Sequence, residues 1–253
     1  MAEINPPVGH GDGSDPAFLD NRLLATFPTA LRQSLRSEIE IIQLDAGETV
    51  LRRGFDVESS IFPFGTTMIS MIIDLSDGRS VEVASIGKEG AVGGIVSCGH
   101  APAFTRAEAT VGGPAARLPM RVIEQAKAGS GHLRNLFCRY SDFLLAQIMQ
   151  SVACNSFHSI EQRAARWLLT AQDRAGDRLV LTQESLAGLL GVQRTTINAV
   201  ARILIDKGGI TTRRGMIVVE DRAALEAMAC ECHDRVERFF GDVIGDGGLG
   251  KPD

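Results

Sequence analysis

Several things are missing from this 253-residue chain, and each absence narrows what it can be. No run approaches the roughly 20 apolar residues that a membrane helix needs, so no membrane partner is expected. Residues 1–15 are polar and rich in Gly and Pro, without the basic start and apolar stretch of a signal peptide, which points to the cytoplasm. Cysteine is sparse and odd in number, at Cys98, Cys138, Cys154, Cys230 and Cys232, which excludes a secreted disulfide framework. No Cys-x-x-Cys pair occurs, and Cys230-Glu231-Cys232 is too close for the usual zinc knuckle, so no metal is expected. Gly-x-Ser-x-Gly and Gly-rich phosphate loops are absent. So is His-x-His, and a β-region whose one histidine is His100 cannot supply the two His and a carboxylate of a cupin metal site. Catalysis and a bound cofactor are therefore not expected.

Basic residues are also in deficit: 26 Lys and Arg against 31 Asp and Glu give a net charge of −5. That average hides a distribution. Residues 158–222 hold ten basic and seven acidic side chains, so this segment carries +3 and the remainder −8. A basic block in an acidic chain is a local pointer to nucleic acid. With 44% hydrophobic and 23% charged residues, the whole has the balance of an ordinary globular protein.

Along the chain, residues 1–17 read as a flexible leader. Residues 20–35 read as a helix broken at Pro28. Short apolar and β-branched runs follow at 39–44, 49–52, 61–64, 68–75, 80–86 and 107–111, each closed by a turn signal. Asp77-Gly78 between two such runs marks a hairpin. Together they predict a small sandwich or β-roll spanning 18–130. A long helix is expected over 131–156, with Leu133, Leu136, Phe137, Tyr140, Phe143, Leu144, Ile148 and Val152 recurring at steps of three, four and seven. A stripe this wide on so long a helix reads as a dimer seam, the alternative being internal packing alone. Residues 157–240 read as a compact helical domain with a hairpin, and 241–253 as a Gly-rich tail.

The most informative stretch is 182–204. Thr182 suits a helix N-cap, with Glu184 in the first turn. Leu186 and Leu190 face inward, Ala187 is small where two helices cross, and Gly191 sits at a turn that calls for positive φ. Val192, Ile197 and Val200 give the second helix its apolar face. That spacing is a helix-turn-helix, whose second helix enters a DNA major groove. The outward residues Gln193, Arg194, Thr195, Thr196, Asn198 and Arg202 can all hydrogen-bond, and Arg and Asn make bidentate contacts to guanine and adenine. Gly208-Gly209 stops the helix. Residues 210–219 then form a hairpin tipped by Arg213 and Arg214, a β-wing suited to phosphate contact.

In this order, β-roll, long helix and winged helix-turn-helix resemble the catabolite-activator and fumarate-nitrate-regulator (Crp/Fnr) family of bacterial transcription factors. The resemblance covers roughly residues 20–225. It implies an α+β fold with a cyclic-nucleotide-binding-like β-roll, a homodimer, a pseudo-palindromic double-stranded DNA operator and RNA polymerase as a partner. Arg194, Thr195 and Asn198 are expected to read bases, with Gln193, Thr196 and Arg202 supporting them or touching the backbone. Thr182, Arg213 and Arg214 are expected to touch phosphates. The effector site would involve Gly93, Gly94, Ile95 and Arg106. It departs from the cyclic-AMP-binding members, because Gly94 stands where they carry a ribose-binding Glu and Ala103 where they carry a phosphate-binding Arg, with Arg106 offset by three. Iron–sulfur members cluster cysteines near the N-terminus, and here none precedes Cys98. His100, His132 and His158 are too scattered to mark a haem site. On the recognition helix, Thr195 and Ala199 replace the Glu and Arg of the best-known members, so a TGTGA half-site is not expected. The effector is thus unknown. The alternatives are a regulator sensing redox through Cys138 or Cys154, one sensing another small molecule, and a β-roll sensor that acts through protein partners.

Overall fold

The computed structural model describes residues 16–94 and 102–244; the expected leader up to residue 15, Ile95, Cys98, His100 and the tail from residue 245 lie outside them. The N-terminal helical region is three short pieces, α1 (Pro16–Asp20), α2 (Arg22–Ala25) and α3 (Thr29–Leu35). Pro28 makes the expected break and stands at the N-cap of α3. Asn21 makes the other. Its buried amide accepts from the Leu24 N–H and donates to the Pro63 and Gly90 carbonyls. Ala17 and Phe18 are buried, so the leader ends earlier than residue 17.

Among the described residues, seven strands build the roll: β1 (Glu40–Leu44), β2 (Thr49–Leu51), β3 (Ser59–Pro63), β4 (Met68–Asp74), β5 (Ser80–Ile86), β6 (Arg106–Val111) and β7 (Gly113–Pro119). They form two antiparallel sheets, ordered β1-β7-β3 and β2-β6-β4-β5. The β4–β5 hairpin turns through Asp77-Gly78, with Gly78 at φ +86. Strand β7 carries no sequence signal because it opens on Gly-Pro and is rich in alanine. Its Ala115 and Ala116 are nevertheless fully buried, since it is the middle strand of its sheet. Leu44, Ile61 and Ala115 from one sheet meet Ile69, Ala84, Ile86, Ala107 and Ala109 from the other in the roll's interior. Side chains alternate along a strand, so Met68 and Ile72 of β4 face outward, into the core of the C-terminal domain.

Helix α4 (Met120–Gly129) leads into the 27-residue α5 (Gly131–Phe157). Ser159 and Gln162 then form a reciprocal capping box that starts α6 (Ile160–Ala175). The rest is β8 (Arg178–Leu179), α7 (Gln183–Leu190), α8 (Arg194–Asp206), β9 (Ile210–Arg213), β10 (Met216–Val219), α9 (Arg222–Met228) and α10 (Cys232–Ile244). Residues 241–244, expected in the tail, are the last turn of α10, where Ile244 is buried.

The face of α5 expected to be a dimer seam is mostly the protomer's own core. Leu133, Leu136, Phe137, Tyr140 and Phe143 are buried against α1–α3, α4 and α10 within one chain. Phe27 meets Phe137 and Phe62 edge-on, and Phe240 of α10 meets Phe143 edge-on at 5.0 Å. The Tyr140 hydroxyl donates to the Ala91 carbonyl and accepts from the Ala91 N–H. Leu144 and Ile148 flank this core, half-buried. The reason is α10: it returns along α5 and, with the N-terminal helices, covers the apolar side. The opposite side of α5 stays open, and it carries Leu145, Met149 and Val152, all at least half exposed.

Between the roll and α6 lies a polar seam. Trp167 Nε1 donates to Glu82 Oε1 at 2.9 Å, and Ser70 donates to the other carboxylate oxygen. The Arg174 guanidinium pairs with Glu89 at 2.7 Å. The Gln147 side chain bridges α5 to the backbone of Ser85. Burial pushes the Glu82 carboxyl above the usual carboxylate range, against the opposing pull of Ser70, Trp167, Arg166 and Arg174. The folded chain therefore holds this proton more tightly than the unfolded chain does. The stability so contributed is complete below the unfolded pKa and is lost as pH rises through the folded one. Glu82→Gln keeps an acceptor for Trp167 and a donor for Ser70 but does not titrate. In urea titrations at pH 5 and pH 8, the wild type is expected to lose more stability between the two than Glu82→Gln does. Equal losses would show that Glu82 is not the titrating group.

Candidate nucleic-acid interface

The C-terminal domain is organised by the hairpin of α7 and α8. Thr182 caps α7, its Oγ1 accepting from the Ser185 N–H at 3.0 Å. The helix ends at Gly191, which is left-handed at φ +67, and the Val192 N–H returns to the Ala187 carbonyl at 3.0 Å. Gly191 also lies against the roll, because a Cβ there would meet the Val81 side chain at 3.3 Å. Arg163 of α6 donates to the Leu190 carbonyl at 2.7 Å, satisfying one of the acceptors left open at that helix end. Ile197, Val200 and Leu204 of α8 close the core with Leu186, Leu189 and Leu190 of α7, together with Trp167 and Leu168.

That packing turns the polar side of α8 to the surface. Gln193, Arg194, Thr195 and Arg202 are exposed, and Thr196 is half-buried. Asn198 is also half-buried, and its Oδ1 is enclosed without a hydrogen-bond partner. A bidentate contact to adenine needs both the oxygen and the nitrogen of the amide, so Asn198 is less available than Arg194. The Arg194 guanidinium stands 3.7 Å from the Glu184 carboxylate, with both side chains well exposed. Such a pair holds only weakly and gives way to a base or phosphate. On the wing, β9 pairs with β10 in register Arg213↔Met216. Gly215 supplies the positive φ of the turn, and Arg213 and Arg214 are exposed at its tip. Thr182, Gln183, Arg194, Thr212 and Arg213 line one open hollow of about 370 Å³ between the starts of α7 and α8 and the wing.

Of the expected effector residues, Gly93, Gly94 and Arg106 are described. Gly94 has φ +62, and a Cβ there would lie 1.9 Å from Met120 Sδ; a Cβ on Gly93 would lie 2.5 Å from the Ser59 carbonyl oxygen. Backbone and Met120 thus leave no room for a side chain at either glycine. Arg106 is on the wrong face of β6. Its neighbour Ala107 points into the roll, so Arg106 points outward, where it binds Asp74 in a fork at 3.0 Å and also pairs with Glu108. The Arg106 fork holds the Asp74 carboxyl below its ordinary range.

Three of the four described cysteines come together. Cys138 is exposed on α5, whereas Cys154, Cys230 and Cys232 are buried together beside His158. Sequence spacing could not show this, because Cys154 and Cys230 are 76 residues apart in the chain.

Residues 162–228 match the family described as the Crp-like helix-turn-helix domain. No curated protein matches the chain in sequence. Among solved structures, FixK2 from Bradyrhizobium japonicum is similar at 15% identity, over 76% of this chain and 98% of that one, with a TM-score of 0.63. The c-di-GMP-responsive global regulator CLP of Xanthomonas campestris is similar at 14% identity, over 77% and 100%, with a TM-score of 0.61. A Crp-family transcriptional regulator from Thermus thermophilus is similar at 20% identity, over 74% and 96%, also with a TM-score of 0.61.

Proposed function

Starting from a Crp-like helix-turn-helix domain set in the fold of the Crp/Fnr regulators, we propose that this chain is a homodimeric transcriptional regulator that reads a pseudo-palindromic DNA duplex. The observation that carries this reading is the surface of α8. Its outward side offers Gln193, Arg194, Thr195 and Arg202, with the arginine-tipped wing beside it. Arg194 and Thr195 read bases, and Arg202, Thr182, Arg213 and Arg214 contact the backbone. An exposed face serving solubility alone calls for Glu and Lys instead. Two copies pair through the open side of α5, along Leu145, Met149 and Val152. RNA polymerase is the partner such a regulator acts on. Selection of bound duplexes from a random pool tests the reading. Enrichment of an inverted repeat with half-site centres about 34 Å apart is expected, and a pool that stays random would overturn it.

The roll acts as an effector-type domain that does not take cyclic AMP in the manner of the cyclic-AMP-binding members. Gly94 offers no carboxylate for a ribose hydroxyl, Met120 fills that place, and Arg106 is committed to Asp74 and Glu108 outside the roll. A buried phosphate without a guanidinium partner is poorly compensated. Calorimetry at micromolar protein is expected to register no binding heat with cyclic AMP or cyclic GMP. A sub-micromolar dissociation constant for either nucleotide would overturn this.

A further inference from the structure

Four ligand-type side chains converge where the long helix hands over to the DNA-binding domain. Cys154 lies in the last turn of α5, and His158 caps that helix. Cys230 lies in the link between α9 and α10, and Cys232 opens α10. Their sulfur and ring nitrogen atoms all lie within 4.8 Å of one another. Cys154 Sγ is 3.6 Å from Cys230 Sγ, and Cys232 Sγ is 3.5 Å from His158 Nδ1. A tetrahedral ion about 2.3 Å from sulfur and about 2.0–2.1 Å from nitrogen sets its ligand atoms roughly 3.5–3.8 Å apart. Both measured edges match that figure. An iron–sulfur cluster distributes its ligands over several irons, and a set this tight does not span one.

We propose that Cys154, His158, Cys230 and Cys232 bind one Zn²⁺ per chain in a closed tetrahedral site.

The surroundings are those of a metal site rather than of inert thiols. Buried cysteines that act as small hydrophobes join an apolar core. Among the described residues these three form a buried group of their own, apart from the three larger apolar clusters. The far nitrogen of His158, Nε2, faces the Glu231 carboxylate at 3.3 Å. A carboxylate behind a histidine fixes which nitrogen is presented to a metal, here Nδ1 toward the thiols. Gln150 Nε2 donates to Cys232 Sγ at 3.0 Å. Three thiolates around a divalent ion leave one negative charge, and the Arg163 and Arg166 guanidinium groups of α6 stand near enough to act on Cys154. The Nε atoms of both arginines are buried without a hydrogen-bond partner. Four protein ligands leave no open position, so the ion is structural and does not activate water. The loop it closes, from Cys154 to Cys230, contains the whole helix-turn-helix domain over 162–228. The ion thereby fixes how that domain leaves α5.

The test uses the untagged full chain, purified under reducing conditions. Elemental analysis is expected to return one zinc per chain. Replacement by Co²⁺ is expected to give the intense visible bands of a tetrahedral site, with thiolate-to-cobalt charge transfer in the near ultraviolet. Cys138→Ser is expected to keep both signatures, and Cys154→Ser and Cys232→Ser to lose the charge-transfer intensity of one thiolate along with tight binding. Glu231→Gln is expected to weaken zinc about 10- to 100-fold in competition with a chromophoric chelator. The wild-type cobalt spectrum decides the matter even where a cysteine variant does not fold. Reduced protein that takes up neither ion in a tetrahedral thiolate environment would overturn the proposal. So would iron with stoichiometric sulfide, or a Cys154–Cys230 disulfide in metal-free protein as isolated.

Discussion

Replacing Leu145 and Met149 together by Glu is expected to give folded monomers, while Phe143→Ala is expected to give a destabilised dimer. All three residues lie on α5, within seven positions of one another. Leu145 and Met149 are 50% and 57% exposed, on the side of the helix that no described segment covers. On a monomer, surface changes of this kind alter stability by no more than about 0.5 kcal/mol. In a dimer seam, four carboxylates from two copies are brought together without partners, which is strongly unfavourable. Phe143, at 1% exposure, packs on Tyr140 and Phe240, and its truncation removes core packing worth about 3–5 kcal/mol. Equilibrium sedimentation and thermal melts at several protein concentrations separate the cases. The wild type and Phe143→Ala should melt at temperatures that rise with concentration, because association stabilises the folded state. The double variant should melt independently of concentration. If it sediments as the same dimer, the pairing surface lies elsewhere.

Arg194→Ala is expected to weaken binding to the selected operator by about 1–3 kcal/mol, roughly 5- to 150-fold, and to relax preference at one base in each half-site. Arg194 is the first residue of α8, where side chains reach base edges soonest when a recognition helix enters the major groove. Its ion-pair partner Glu184 is exposed and easily exchanged. Arg213→Ala and Arg214→Ala, at the wing tip, should act differently. Each should weaken operator and scrambled duplex alike and reduce the salt slope by about one unit for every phosphate left without its arginine. Salt titrations on both duplexes measure these effects. Equal weakening of both duplexes by Arg194→Ala would make it a backbone anchor and pass base reading to Thr195 and Arg202. No effect from any of the three would place the DNA-binding surface outside the helix-turn-helix.

The parts of the fold that local chemistry governs were legible in the sequence. Gly191 needs positive φ, Thr182 needs a helix behind it, and Asp77-Gly78 needs a hairpin; each requirement is met within a few residues of chain. The periodicity of 182–204 separates an inward from an outward side of α8 because that helix has one buried face. Strand β7 has no such local mark. Alanine and proline carry no strand preference, and only its place between β1 and β3 makes it one.

On α5 periodicity sufficed to mark a helix but not to say what each side meets. The helix carries two apolar surfaces, and the larger belongs to the protomer because α10, some ninety residues further along, comes back to cover it. Likewise Arg106 and Ala107 are neighbours in sequence, yet the pleat sends one outside the roll and the other within, and only the pairing of β6 with β4 and β2 shows which. Cys154 and His158 are one helical turn apart, and Cys230 and Cys232 two residues apart. Neither pair suggests a metal alone. Order of elements, caps and turns follow from contacts a few residues long. The facing of a helix, the side of a strand and the meeting of Cys154 and His158 with Cys230 and Cys232 depend on which distant segment fills the space opposite, and that is set by packing of the whole chain.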